Sequence, residues 1–164
     1  MKANITVIGL VGNFKKNVAQ ALADKLEMIF ADVNDIMEFN LINSKMIEHA
    51  GQDYFDKNES KTVKLLASYE NTVITLNLST LNKNNNIQIL KENSVVVYLR
   101  LNFEQFQIIN KIENYGALES INKRAYKGRD MLLNKMCDIC VEVEDMNTNN
   151  VVDNIILGLK NYFK

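Results

Sequence analysis

The sequence predicts an α/β fold, a five-stranded parallel sheet with helices on both faces, and three observations predict it. Five short apolar or β-branched runs recur along the chain, segments with helical spacing separate them, and the runs are nearly continuous in hydrophobicity rather than alternating. A strand that is apolar on both sides needs cover on both sides. Parallel βαβ units with right-handed crossovers supply that cover.

The first strand is predicted over Ile5 to Leu10, and a glycine-containing turn leads from it into a helix. In that helix Val18, Ala21, Leu22, Lys25 and Leu26 share one stripe, apolar except for a lysine that can snorkel. Further strands are predicted over Met28 to Asp32, Thr72 to Leu76, Val95 to Leu101 and Ile139 to Val143. The last helix is predicted from Asn149 to Phe163, burying Val151, Val152, Ile155, Ile156 and Leu159. The polar run Asn82 to Asn86 reads as a loop that reflects a chain rich in Asn and Lys. Function in such a sheet is expected at the carboxyl ends of the strands.

With 164 residues the chain is sized for one domain, residues 1–164, and 47% hydrophobic with 24% charged residues is the balance of an ordinary folded domain. A net charge of -1 gives no field to hold a nucleic-acid backbone, and no apolar run approaches a membrane span. The expectation is a cytoplasmic protein with neither nucleic-acid nor membrane partners. Cys137 and Cys140 form one C-x-x-C without the further ligands a zinc site needs, so they are expected to be buried free thiols. His49 has no recognisable nucleophile partner and is read as structural or solvated.

The turn after the first strand, Gly9-Leu10-Val11-Gly12-Asn13-Phe14-Lys15-Lys16, admits two readings. In one, Asn13 caps a helix beginning near Phe14, and the two lysines are solvated. In the other it descends from a phosphate loop, G-x-x-x-x-G-K-[ST], in which the last glycine lets amides wrap a phosphate, the lysine reaches the phosphates and the hydroxyl holds Mg²⁺. Phe14 stands at that glycine and Lys16 at that hydroxyl. A left-handed Phe14 would cost about 1 to 2 kcal/mol, so a changed loop shape is expected. An ammonium about 4 Å from a divalent ion is repelled by roughly 8 kcal/mol at an effective dielectric near 20, so Mg²⁺ is not expected to bind in the usual way and no metal ligand is assigned.

Nearly the whole chain resembles the bacterial shikimate kinases. The landmarks, in order, are the turn above, Val18-Ala19-Gln20-Ala21-Leu22, Phe30-Ala31-Asp32-Val33-Asn34, Ile47 to Glu59 matching the family's substrate helix, Val73 to Ser79, Val95 to Leu99, and Arg129 to Glu142. The resemblance implies the three-layer sandwich of P-loop kinases, ATP or ADP as cofactor, and a lid, here reduced to about residues 113–123 with no identifiable lid arginine. It assigns Gly9, Gly12, Asn13, Lys15 and Lys16 to the nucleotide, Asp32 and Lys15 to catalysis, and Asn34, Asp56, Asn77 and Arg129 to the substrate.

The departures from the family pattern fall in the site. Asn34 replaces an aspartate and cannot act as a general base, although it can hydrogen-bond a hydroxyl. Asp56 replaces an arginine that grips a carboxylate, which disfavours shikimate. Asn77, Leu78 and Ser79 replace a Gly-Gly-Gly turn, which is expected to narrow the pocket. Lys15 and Arg129 are expected still to line an anion-accepting cleft. The functional expectation is a degenerate, weakly active or inactive relative that binds an anionic ligand, a nucleotide or a protein partner. The alternative is an active ATP-dependent kinase for shikimate or another acceptor.

Overall fold

The computed structural model describes residues 2–83, 85–110 and 117–164. Its elements run β1 (Asn4–Gly9), α1 (Gly12–Leu26), β2 (Ile29–Asp32), α2 (Val33–Phe39), α3 (Ser44–Ala50), α4 (Gln52–Ala67), β3 (Thr72–Thr75), α5 (Leu78–Leu81), α6 (Asn86–Asn93), β4 (Ser94–Arg100), α7 (Phe103–Asn110), α8 (Ala117–Met136), β5 (Ile139–Glu142) and α9 (Thr148–Tyr162). Residues 113–116 of the expected lid lie outside the described residues, and 117–123 form the start of α8.

All five strands are parallel, in the order β2-β3-β1-β4-β5. Each predicted strand is found with ends shifted by no more than one residue. The two-residue period of β4 builds both halves of the core. Val95, Val97 and Leu99 join Val18, Leu22, Val151 and Ile155 of α1 and α9 on one face. Val96 and Tyr98 join Val63, Leu66, Leu90 and Leu133 of α4, α6 and α8 on the other. The lysine in the α1 stripe does snorkel, reaching Asp153 of α9 at 2.5 Å.

Four local expectations are corrected. Asn13 is not a cap, because α1 begins at Gly12 with Val11 in the N-cap position. The stretch Ile47 to Glu59 is not one helix, since Gly51 at φ +85° separates α3 from α4. That conformation suits a residue without Cβ. The Asn82 to Asn86 run is more than composition: Asn85 takes the left-handed conformation, and the fully buried Asn86 side chain donates to the Thr80 carbonyl at 2.7 Å. The cysteines are not buried either; Cys137 is half-buried and Cys140 exposed. They flank the start of an edge strand whose inward residue Val141 packs with the α9 cluster. Partial desolvation pushes both thiols up, Cys140 to about 11, which leaves them poor nucleophiles.

Candidate functional site

Only Leu10 and Val11 separate β1 from α1. The Lys15 amide already donates to the Val11 carbonyl at 3.1 Å, so the wide loop expected of the phosphate-loop reading has closed into a helical turn. Phe14 supplies a reason. Its ring packs against the core formed by α1 and α9, and its backbone is helical, so the left-handed strain is avoided. Val11 offers no side-chain cap, and the amides of Gly12, Asn13 and Phe14 remain without intrahelical acceptors at the positive end of a 15-residue helix.

Two successive lysines leave this turn for different surroundings. Lys15 is 3% exposed, and its ammonium donates to the Leu76 carbonyl just past β3. Burial lowers its pKa to about 8; Asp32 opposes the shift and Lys16 adds to it. Lys16 points outward, pairing with Asp35 at 2.5 Å and standing 4.0 Å from Asp32 Oδ1. The hydrogen bond to Asp35 raises its pKa.

Asp32 ends β2 and caps α2. Its Oδ1 accepts from the amides of Asn34 and Asp35, both at 3.1 Å, while Oδ2 accepts from the Thr75 hydroxyl at 2.5 Å. Both carboxylate oxygens are therefore engaged, and the side chain is 8% exposed. A carboxylate spent in this way orients α2 and balances the neighbouring ammonium groups.

Two adjoining cavities open at the carboxyl ends of the strands. The first, about 460 Å³, is lined by Gly9, Gly12, Lys15, Asn77 and Arg129, among others. Arg129 reaches it because the next residue anchors α8 to the sheet. Asp130, buried, accepts from the Tyr98 hydroxyl at 2.8 Å and from Arg100 at 2.9 and 2.8 Å. The second cavity, about 320 Å³, shares Asn77 and Ser79 with the first and is lined also by Asn34, Phe55, Glu59 and Lys83. The replaced Gly-Gly-Gly turn thus forms the partition between the cavities and does not fill them.

The structure brings Gly9, Gly12, Lys15, Asn77 and Arg129 to one cavity and Asn34 to the next, with Asn13 in the first turn of α1 and Lys16 4.0 Å from Asp32. Asp56 lies behind the second cavity, where it does not act as a bare negative charge. It pairs with Lys83 at 2.7 Å and accepts from Gln52 at 2.7 Å, and these bonds hold its carboxyl below the usual range. Sequence reasoning missed Lys83 and gave Glu59 no role. Glu59 is 4% exposed, accepts from the Thr80 hydroxyl at 2.5 Å and lies 3.8 Å from Lys83. The readable signal was an acid at 56, where the resemblance implies an arginine, with a lysine 27 residues later. Among the described residues no cluster of three or more potential metal-binding side chains occurs, and no helix is long and apolar enough to cross a membrane.

Comparison with known proteins agrees with this architecture. The family model described as shikimate kinase matches residues 11–160. The chain is 31% identical over 98 residues to a shikimate kinase of Caldicellulosiruptor bescii, a match spanning 58% of this chain but only 57% of that protein. It is 27% identical over 160 residues to one from Clostridium botulinum, covering 94% of this chain and 96% of the relative. The crystal structure of shikimate kinase from Aquifex aeolicus superposes with a TM-score of 0.77 at 27% identity, covering 96% of each chain.

Proposed function

The chain belongs to the shikimate kinase family, and on that premise we propose that it keeps a phosphate-accepting cleft while transferring phosphoryl groups weakly or not at all. The observation that carries this reading is Lys16. Its ammonium sits between Asp35 and Asp32, where the family pattern has a hydroxyl for a metal ion. ATP with Mg²⁺ is the group the family implies, and the metal does not fit these residues: a resident cation already occupies the carboxylates, and both oxygens of Asp32 are engaged. No catalytic step is therefore routed through a metal.

The phosphate end of a nucleotide fits the first cavity better. Free amides at Gly12, Asn13 and Phe14 point from a helix start, Lys15 lies beneath, and Arg129 closes the far side. For Lys15 to contact a phosphate, its ammonium would exchange the Leu76 carbonyl for a phosphate oxygen, an anionic acceptor that makes the stronger charge-assisted bond. Asn34 can hold an acceptor hydroxyl but cannot take its proton. The test is direct. ADP is expected to raise the melting temperature equally with Mg²⁺ and with a chelator, and Lys15→Ala is expected to abolish the shift. Magnesium-dependent phosphorylation of shikimate at an ordinary kinase turnover, roughly 1 to 100 s⁻¹, would overturn the reading.

A second reading, an active ATP-dependent kinase for a different acceptor, is favoured by the adjoining second cavity with its altered charges. It fails if neither ATP nor ADP at millimolar concentration, with or without Mg²⁺, stabilises the protein.

A further inference from the structure

The second cavity carries an unusual charge arrangement on a buried floor. Glu59 enters it from α4 with one oxygen satisfied by Thr80. Its Oε2 is buried and receives no hydrogen bond from the described residues; the nearest cation is the Lys83 ammonium, 3.8 Å away. Lys83 is itself held by Asp56 at the closer 2.7 Å, so it is largely neutralised before it can serve a ligand. Glu38 adds a further carboxylate at the exposed rim. Two carboxylates, Glu38 and Glu59, line the cavity with one ammonium, Lys83, which Asp56 holds from behind, and Glu38 also lies in the field of Lys16. A buried acceptor without a donor is costly, and a ligand that brings a donor recovers that cost.

From this geometry we infer that the second cavity binds a small, hydroxyl-bearing ligand with an ammonium group, and rejects one with a carboxylate. The inference rests on the proposed reading of the adjoining cavities as a phosphate site and an acceptor site. The ligand ammonium donates to Glu59 Oε2, its hydroxyls meet Asn34, Asn77 and Ser79, and Phe55 with Met37 covers its apolar edge. A carboxylate in the same place would meet Glu59 with no free cation to offset it. The cavity, about 320 Å³, lies at the small end of ligand sites, which excludes large ligands.

The experiment uses three probes on one ring: shikimate, its amide, and the analogue in which an aminomethyl group replaces the carboxylate. Binding to the full chain is measured by calorimetry without nucleotide. The expected order is cation, then neutral amide, then anion, with about tenfold or more between the ends. Glu59→Gln keeps the shape and is expected to erase most of that preference. Because Glu59 is buried, the exposed Glu38→Gln serves as a second variant and is expected to weaken the cation about twofold to threefold, the effect of an exposed charge. Equal or tighter binding of shikimate, or no binding of any probe, overturns the inference. Phosphoryl transfer to any probe bears instead on the parent reading, so the two fail separately.

Discussion

The two adjoining cavities differ in how their polar groups are satisfied. At the turn beside the first cavity the charged side chains are bonded within the protein: Asp32 caps α2 and accepts from Thr75, Lys16 pairs with Asp35, and Lys15 donates to Leu76. The amides of Gly12, Asn13 and Phe14 have no intrahelical acceptor, and Arg129 lines the same cavity. In the second cavity the buried Glu59 Oε2 receives no hydrogen bond from the described residues, and Lys83 pairs with Asp56. The charged groups of the first region are bonded to one another and to the backbone, whereas Glu59 Oε2 in the second receives no donor from the described residues. Substitution has therefore not eroded the site evenly. At one end the Lys16 ammonium stands between Asp35 and Asp32, and at the other Asp56 pairs with Lys83 beside the buried Glu59.

The strongest way to break this comparison is to undo the substitution at the metal position. In the Phe14→Gly, Lys16→Ser double variant, the ammonium is gone and a glycine can reopen the turn. Removing a repulsion of several kcal/mol is expected to let Mg²⁺ tighten ADP binding at least a hundredfold, where in the unsubstituted chain it changes nothing. Calorimetric titration of ADP with and without Mg²⁺ measures this. The stability lost with the exposed Lys16–Asp35 pair should stay within about 1 kcal/mol. If Mg²⁺ has no effect on the double variant, the Lys16 ammonium is not what keeps the metal out.

An intermediate effect is expected from Lys15, whose pKa burial lowers to about 8. Its unfolded-state value is the ordinary 10.5, so between these values the unfolded chain holds the proton that the folded chain has released. Unfolding free energy should therefore rise with pH across roughly 8 to 10.5. The cost of the buried charge is fully present below pH 8. At 1.36 kcal/mol per unit the gain approaches about 3 kcal/mol, and relaxation around the side chain will reduce it. Urea titrations of the unsubstituted chain and Lys15→Met at pH 7 and pH 10 read the difference, which disappears if the ammonium is in fact solvated. Affinity for inorganic phosphate should fall over the same upper range, because the neutral amine no longer attracts the anion.

The sequence disclosed the frame of this site far better than its interior. All five strands were readable because their β-branched runs are long enough to stand out, and α9 because its stripe from Val151 to Leu159 keeps the helical period. Lys15 and Arg129, which the resemblance set in one cleft, line one cavity. Three things did not follow. The start of α1 depends on Phe14 packing into a core that α9 completes from the far end of the chain. The engagement of Asp32 depends on Thr75, 43 residues away. Lys83 sat in a polar run that composition alone explained, until its bond to Asp56 crossed 27 residues. Each is a tertiary pairing between residues that carry no periodic signal.

The smallest expected effect concerns that last bond and separates its recognition role from its contribution to stability. Asp56 and Lys83 are 25% and 33% exposed, so water screens their attraction and competes for their hydrogen bond. A double-mutant cycle with Asp56→Asn and Lys83→Met should give a coupling below about 1 kcal/mol in unfolding free energy. Lys83→Met alone should be somewhat worse than the cycle suggests, because the buried Glu59 loses the cation 3.8 Å from it. If the coupling instead reaches 2 kcal/mol or more, the pair holds α4 against the segment leading into α6, and its retention needs no ligand to explain it. If it stays small while Lys83→Met changes the ranking of charged probes in the second cavity, the lysine serves recognition. In that case the two cavities differ in function as well as in their internal bonding.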